Sequence, residues 1–505
     1  VTPLALFALL SESVLTDAER GLVAAHFPYG ETGEGGLRQG VAHALAVAGL
    51  DSRMAKLGPR WPSPGLLDRA RARVQTWRTR GVSCVTSDDL NRTALPPFLF
   101  ARGKTSLLDK PLAAVLHSRK PRSIRPADRW VRVTRHLTET VLSEGAVPVA
   151  SLGSAAYELV LATALRAGCS AGVVLDGPLP FMESESRLTR FLDDYGDMVP
   201  EERVLLLSPF SPGRLPPVKA RQPQRDACLV ALCDRVLAAE IRSGGVMEGL
   251  IREAQDRGQT VRIFRPACFD RAVSGNRALL EDGLPEILIP GIEEEPQTKS
   301  PASSAETDSR PLNAVLPGPE SVIHFTRACH GPWPGQTRTA YYGSLLDARP
   351  ESAHAALDTL CHILEEGRIR ASTRLVRGDQ AVVSFTGRSL ADLRSLVRWR
   401  RGLIRWTFEP YGLAVHKKAL LDLGLSPVIY GPESVWRDLS PRDRFRYQAH
   451  RPPDTDWSAE DEWRLPGDLD LSALPAGAVR VIVSSDEEAA RIEARFGYAA
   501  AVAPR

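Results

Sequence analysis

The sequence has little that marks a membrane, secreted or metal-bound protein. Seven cysteines in 505 residues are an odd, scattered set. Cys84, Cys169, Cys228, Cys233, Cys268, Cys329 and Cys361 mostly fall inside apolar runs, where a thiol behaves as a small hydrophobe, so they read as reduced. Cys228 and Cys233 have no second pair at ligand spacing, and no metal is expected. No apolar run is long enough to span a bilayer. The opening Val-Thr-Pro-Leu-Ala-Leu-Phe-Ala-Leu-Leu lacks the basic start and cleavage site of a signal peptide, so it reads as a core helix of a cytoplasmic protein. Its leading Val reads as a GTG start codon. Aromatics make up only 6%, and the net charge of +3 excludes any argument for nucleic acid from bulk charge. The cations are overwhelmingly arginine and prolines number 39, a composition of GC-rich bacterial coding. No internal repeat is apparent.

What is present is a chain long enough for roughly three domains. Residues 1–95 carry helix-like stretches at 3–13, 15–26, 37–49 and 65–80, a small helical module. Residues 96–272 switch to short apolar runs, each followed by an amphipathic stretch. Candidate strands are 112–117, 147–151, 171–175, 203–207, 235–239 and 260–264. Their continuous apolarity predicts burial on both faces, as in a parallel sheet with crossover helices. The fold expected is α/β, a Rossmann-like doubly wound sheet, with a separate α+β domain at 320–505. Between them, 292–319 is rich in Pro, Ser and acidic residues with almost nothing to bury, and reads as a linker.

In such sheets ligands sit where strand carboxyl ends meet helix N-termini. The first strand ends in His117-Ser118-Arg119-Lys120-Pro121-Arg122. Ser118 can donate to a phosphate, Arg119 can grip one bidentately, and Lys120, Arg122 and Arg125 extend the positive field. The next strand ends at Ser151, with Gly153 suited to a tight turn and Ser154 to capping the following helix. Arg225-Asp226 precedes an apolar run and the strand ending at Glu240, which is placed to accept from a ribose or base edge. Ser243-Gly244-Gly245 then lets backbone approach a phosphate closely. Each motif also reads as an ordinary charged loop or strand-to-helix turn; their recurrence at successive sheet ends points to a ligand.

Phe98-Leu99-Phe100-Ala101-Arg102-Gly103, the strand Ala113–Arg119, and Ala231–Arg262 with its Ser-Gly loop resemble the DNA-processing protein A (DprA/Smf) family over about 95–270. The resemblance implies single-stranded DNA binding at the sheet ends, a role in recombination or transformation, loading of a RecA-type recombinase, and a homodimer. This chain departs from the family pattern at His117, where the family has Gly, at Ser154–Glu158, which replaces a Gly-Ile-Asp turn, and at Asp226, which replaces Asn. A nucleotide is therefore the competing ligand. Ser243-Gly244-Gly245 with Glu248 loosely resembles the loop of lysine-decarboxylase-like nucleotide hydrolases.

In the last domain, the order of His324, Ser384, Tyr411, Glu460 and Glu462 resembles the polar groups of ADP-ribosyltransferase-like folds and, in pattern, phage-resistance domains. That resemblance implies NAD as cofactor, binding by His324, Ser384, Tyr411 and Glu460, and catalysis by Glu462, in a defence-type sensor and effector; otherwise no cofactor is expected. The same residues also read as a core histidine, a packed aromatic and carboxylates paired with Arg405 or Arg464.

Overall fold

The computed structural model describes every residue except 1, 14, 30–35, 59–60, 91, 93, 214, 293–319, 374–375, 394–398, 401–404, 407, 451–456 and 504–505. The expected linker therefore lies, from 293 to 319, outside the described residues. Chain packing gathers the protein into two units. One comprises Val1–Thr298 with Gln336–Arg349, the other Lys299–Gly335 with Pro350–Arg505.

The first unit opens with helices α1 (Pro3–Leu10), α2 (Asp17–His26), α3 (Leu37–Val47), α4 (Ser52–Leu57) and α5 (Pro64–Thr79). Their starts are set by side chains. Thr2 and Ser63 accept from the third amide beyond them, each followed by proline at the first helical position. Thr16 and Glu19 form a reciprocal capping box. These helices share one apolar core with the sheet. The Phe7 ring meets Phe98 and Phe100 edge-on at 5.6 and 5.0 Å, and the Trp77 indole donates to the Met182 carbonyl at 3.1 Å.

The sheet has nine strands. β1 (Val82–Thr86) and β2 (Phe98–Gly103) lie at one edge. β3 (Leu112–His117), α6 (Arg129–Ser143), β4 (Val147–Ala150), α7 (Ala155–Arg166), β5 (Ala171–Val174), α8 (Glu185–Tyr195), β6 (Val204–Ser208), α9 (Val218–Leu232), β7 (Arg235–Glu240), α10 (Val246–Asp256), β8 (Thr260–Phe264), α11 (Ser274–Glu281) and β9 (Glu286–Ile287) follow. The spatial order is β1-β2-β6-β5-β4-β3-β7-β8-β9. From β6 to β9 all neighbours are parallel, whereas β1, β2 and β6 pair antiparallel. Strands β3 to β6 are buried at every position, as their unbroken apolarity requires. The sheet begins before residue 95, because β1 (Val-Ser-Cys-Val-Thr) is a half-exposed edge strand inside a segment otherwise read as helical. Arg225-Asp226 lies within α9 and does not open an element.

Helix α12 (Arg338–Leu346) also belongs to this unit and packs beside α7, although the chain has by then formed a strand of the second unit. That second unit holds a seven-stranded sheet in the order Ser426–Pro427, Glu462–Pro466, Val382–Thr386, Ser321–Phe325, Gly412–His416, Val479–Val483, Ala500–Val502. All its pairs are antiparallel except the last. Among the described residues no helix is long and apolar enough to cross a membrane.

Candidate nucleic-acid interface

Strand order reverses between β3 and β7: the chain leaves β3 toward β4 on one side and β7 toward β8 on the other. The crevice beyond their carboxyl ends is the topological switch point, where ligands of open α/β sheets sit. Two bonds stitch its walls. The Ser118 amide donates to the Glu240 carbonyl at 2.9 Å, and the Arg242 amide donates to Ser118 Oγ at 2.8 Å. Glu240, 3% exposed, accepts from Lys120 Nζ at 2.5 Å and Arg129 Nε at 2.6 Å, and Arg129 reaches on to Asp270 at 2.9 Å. Burial pushes the Lys120 ammonium below its ordinary pKa, against the pull of Glu240. Lys120 is thus spent on an internal carboxylate. Glu240 in turn is saturated by two cations.

His117 is buried beneath this crevice. The Thr134 hydroxyl donates its one proton to the Trp130 carbonyl at 2.5 Å, so the 2.7 Å contact to His117 Nε2 requires the imidazole to donate. Burial holds this ring well below the usual histidine pKa, so it is neutral.

The neighbouring turns have glycine geometry, with Gly153 at φ +77° and Gly244 at φ +70°. Both amides are already engaged. Gly153 N–H donates to Glu158 at 2.8 Å and Gly244 N–H to Glu248 at 2.7 Å. Glu158 also takes Arg338 at 2.8 Å and the Tyr342 hydroxyl at 3.0 Å from α12, and Glu248 pairs with Arg252. The helices' own carboxylates occupy the place a phosphate would take. Ser154 sits at the N-cap of α7 without making a side-chain capping bond, and the Ser243 amide donates to Ser274 Oγ at 3.0 Å.

Arg225 is 6% exposed and faces inward. It donates to Asp226 at 2.8 Å and to Ser151 Oγ at 2.8 Å, and it lies over the Tyr157 ring, whose hydroxyl also donates to Asp226 at 2.9 Å. Burial raises the Asp226 pKa although Arg225 and Tyr157 oppose it. Of the cations read from sequence, then, Arg119 and Arg122 face solvent while Lys120 and Arg225 do not. Arg125, Arg242 and Arg271 are also exposed around the same strand ends. None of these five has a carboxylate partner for its guanidinium among the described residues. Arg129 and Asp270 join the Glu240 network from outside the motifs that mark the crevice in the sequence. The one sequence signal for Arg129 is a cation at the first position of a helix, where the macrodipole disfavours it.

In the second unit the structure brings only some of the polar residues together. Ser384 Oγ donates to Glu462 at 2.9 Å, and Arg464, 1% exposed, donates to both oxygens of Glu462. By strand alternation these sit opposite the face built from Phe385 and Leu413, the register partners flanking His324. His324 Nδ1 instead meets the Ser384 carbonyl at 2.9 Å, and Tyr411, packed on the Leu413 face, bonds Ser484 and Glu488. Glu460 lies in a short 3-10 turn whose carbonyl accepts from Thr386 at 2.5 Å. The expected grouping of His324, Tyr411 and Glu462 around one ligand is therefore not formed, because period-two alternation divides it between faces.

Burial lowers His324 and His354 to about 4 each. A base depressed in the folded state binds fewer protons there than in the unfolded chain. Stability is thus complete above pH about 6.5 and is lost as pH falls toward 4, at up to about 1.4 kcal/mol per pH unit for each ring. Denaturant titration of the protein across that window is expected to show this slope, and His324→Gln is expected to flatten it; an unchanged slope in the variant refutes the assignment.

The fold and crevice define a doubly wound, Rossmann-like α/β protein with exposed arginines around its switch point. No protein-family model and no curated protein sequence matches the chain. Among solved structures, the chain is similar to DNA processing protein A (DprA) from Streptococcus pneumoniae, at 20% identity, covering 57% of this chain and 95% of that one with a TM-score of 0.37. It is also similar to DNA processing protein A from Helicobacter pylori, a structure described for its single-stranded DNA binding mode, at 21% identity, covering 42% and 92% with a TM-score of 0.33.

Proposed function

We propose that the first unit binds single-stranded DNA through its phosphates at the carboxyl ends of β3, β7 and β8. The observation that carries this reading is the set of exposed guanidinium groups, Arg119, Arg122 and Arg242 foremost, around a crevice whose buried charges already neutralise one another. An arginine with no internal carboxylate keeps its full attraction for a phosphate. The filled amide turns favour DNA over a free nucleotide, since Glu158 and Glu248 stand where a pyrophosphate would be cradled. On this reading the protein serves recombination or transformation, with a RecA-type recombinase as the partner to test by pull-down on DNA-bound protein.

Binding of an unstructured oligodeoxythymidine across a salt series tests the proposal. Affinity is expected to fall with salt, and the slope of log affinity against log salt to lessen by about 0.7 for each arginine removed in Arg119→Ala or Arg242→Ala. Wild-type protein that binds no oligonucleotide at low salt, or variants that keep the full slope, refutes it.

A further inference from the structure

Phe269 stands in the loop after β8, partly exposed, with the Arg277 guanidinium 4.9 Å from its ring centroid. This loop is held firmly against the switch point. The adjacent Asp270 accepts from Arg129, the same side chain that grips Glu240 at the end of β7. The other Asp270 oxygen caps the amide of Ala272 at 2.7 Å and that of Val273. The Gly275 amide donates to the Ile241 carbonyl at 2.8 Å, tying the start of α11 to the residue after Glu240. A partly exposed aromatic ring backed by a cation therefore stands two residues from the exposed Arg271, in a loop tied to the end of β7 and in a sequence otherwise poor in aromatics.

We infer that the Phe269 ring, with Arg277 behind it, is a base-stacking platform that receives a nucleobase of the strand whose phosphates lie along the arginines. This rests on the single-stranded DNA reading above and deepens it. Phosphate contacts alone would hold duplex and single strand alike, because both present the same anions. A ring at the crevice edge engages a base face only when that base is unpaired, and every base has such a face. The platform would thus supply the preference for single strands, without preference for sequence.

The test compares an oligodeoxythymidine with an abasic oligonucleotide of equal length, by fluorescence anisotropy at one salt concentration on the full chain. Phe269→Leu keeps an apolar side chain but removes the π face. It is expected to weaken oligodeoxythymidine binding about five- to hundredfold while leaving abasic binding unchanged, and Phe269→Trp to restore it. Wild-type protein that binds both oligonucleotides equally, or Phe269→Leu that binds oligodeoxythymidine as wild type does, overturns the platform and leaves the phosphate reading standing. Wild type that binds neither overturns both.

Discussion

Arg225→Ala is expected to lower the stability of the first unit by about 3–5 kcal/mol, the usual cost of leaving one member of a buried ion pair alone. Arg225 and Asp226 are both enclosed, and Arg225 also holds Ser151 at the end of β4. Without the guanidinium, only the Tyr157 hydroxyl still opposes the effect of burial on the Asp226 carboxyl, and its pKa rises further. An acid raised in the folded state contributes stability that is present at low pH and lost as pH rises through the folded pKa. The deficit of the variant is therefore expected to widen from acid toward neutral pH. Removing both charges in a double variant, Arg225→Leu with Asp226→Leu, is expected to recover part of the loss, as apolar replacement of buried pairs often does. Thermal and denaturant unfolding measure all three proteins. If Arg225→Ala melts like wild type yet loses DNA, the side chain is a phosphate contact and the inward assignment fails. A DNA-binding assay alone would not separate these cases, because an unfolded crevice also binds nothing.

Glu240→Ala is the second substitution with a large expected effect, again about 3–5 kcal/mol or more. It strands Lys120, whose side chain is 7% exposed, and deprives Arg129 of its inner partner. Arg129 retains Asp270, so the greater burden falls on Lys120, which burial already drives toward its neutral form. Glu240→Gln keeps an acceptor in place and is expected to cost less than Glu240→Ala. Adding Lys120→Met to Glu240→Ala removes the stranded ammonium and is expected to restore stability in part. Equal melting of wild type and Glu240→Ala would mean that the carboxylate is solvated and available to a ligand, contrary to its two short ion pairs.

The parallel sheet was legible because its strands are buried on both faces and so appear as uninterrupted apolar runs. β3, β7 and β8 begin and end within a residue of where those runs do. β1 was not legible, since a half-exposed edge strand shows only weak alternation and lies among helices. The place of the switch-point crevice was legible from topology, because charged residues after strand ends lie along it whatever their orientation. Their individual roles did not follow. Lys120 and Arg119 are adjacent in sequence, yet one is drawn inward by Glu240, 120 residues later, and the other is left outside. Such pairings depend on which distant carboxylate the fold brings near, and no local pattern records that. Strand parity was readable in principle: Ser384 and Phe385 must face opposite ways, which separates Glu462 from the face carrying Tyr411.

Helix α12 has a practical consequence for dissecting the protein. A fragment ending within 293–319 looks like a natural cut from composition, but it discards Arg338 and Tyr342 and leaves the carboxylate of Glu158, 2% exposed, facing Gly153 alone. The fragment also forfeits the Thr339 bonds to Asp197 and the ion pair of Arg166 with Asp347. Expression of the sheet as an independent piece therefore requires residues 336–349 to be supplied, either by a shortened fusion that skips the intervening strand or as a separate peptide that complements the truncated chain.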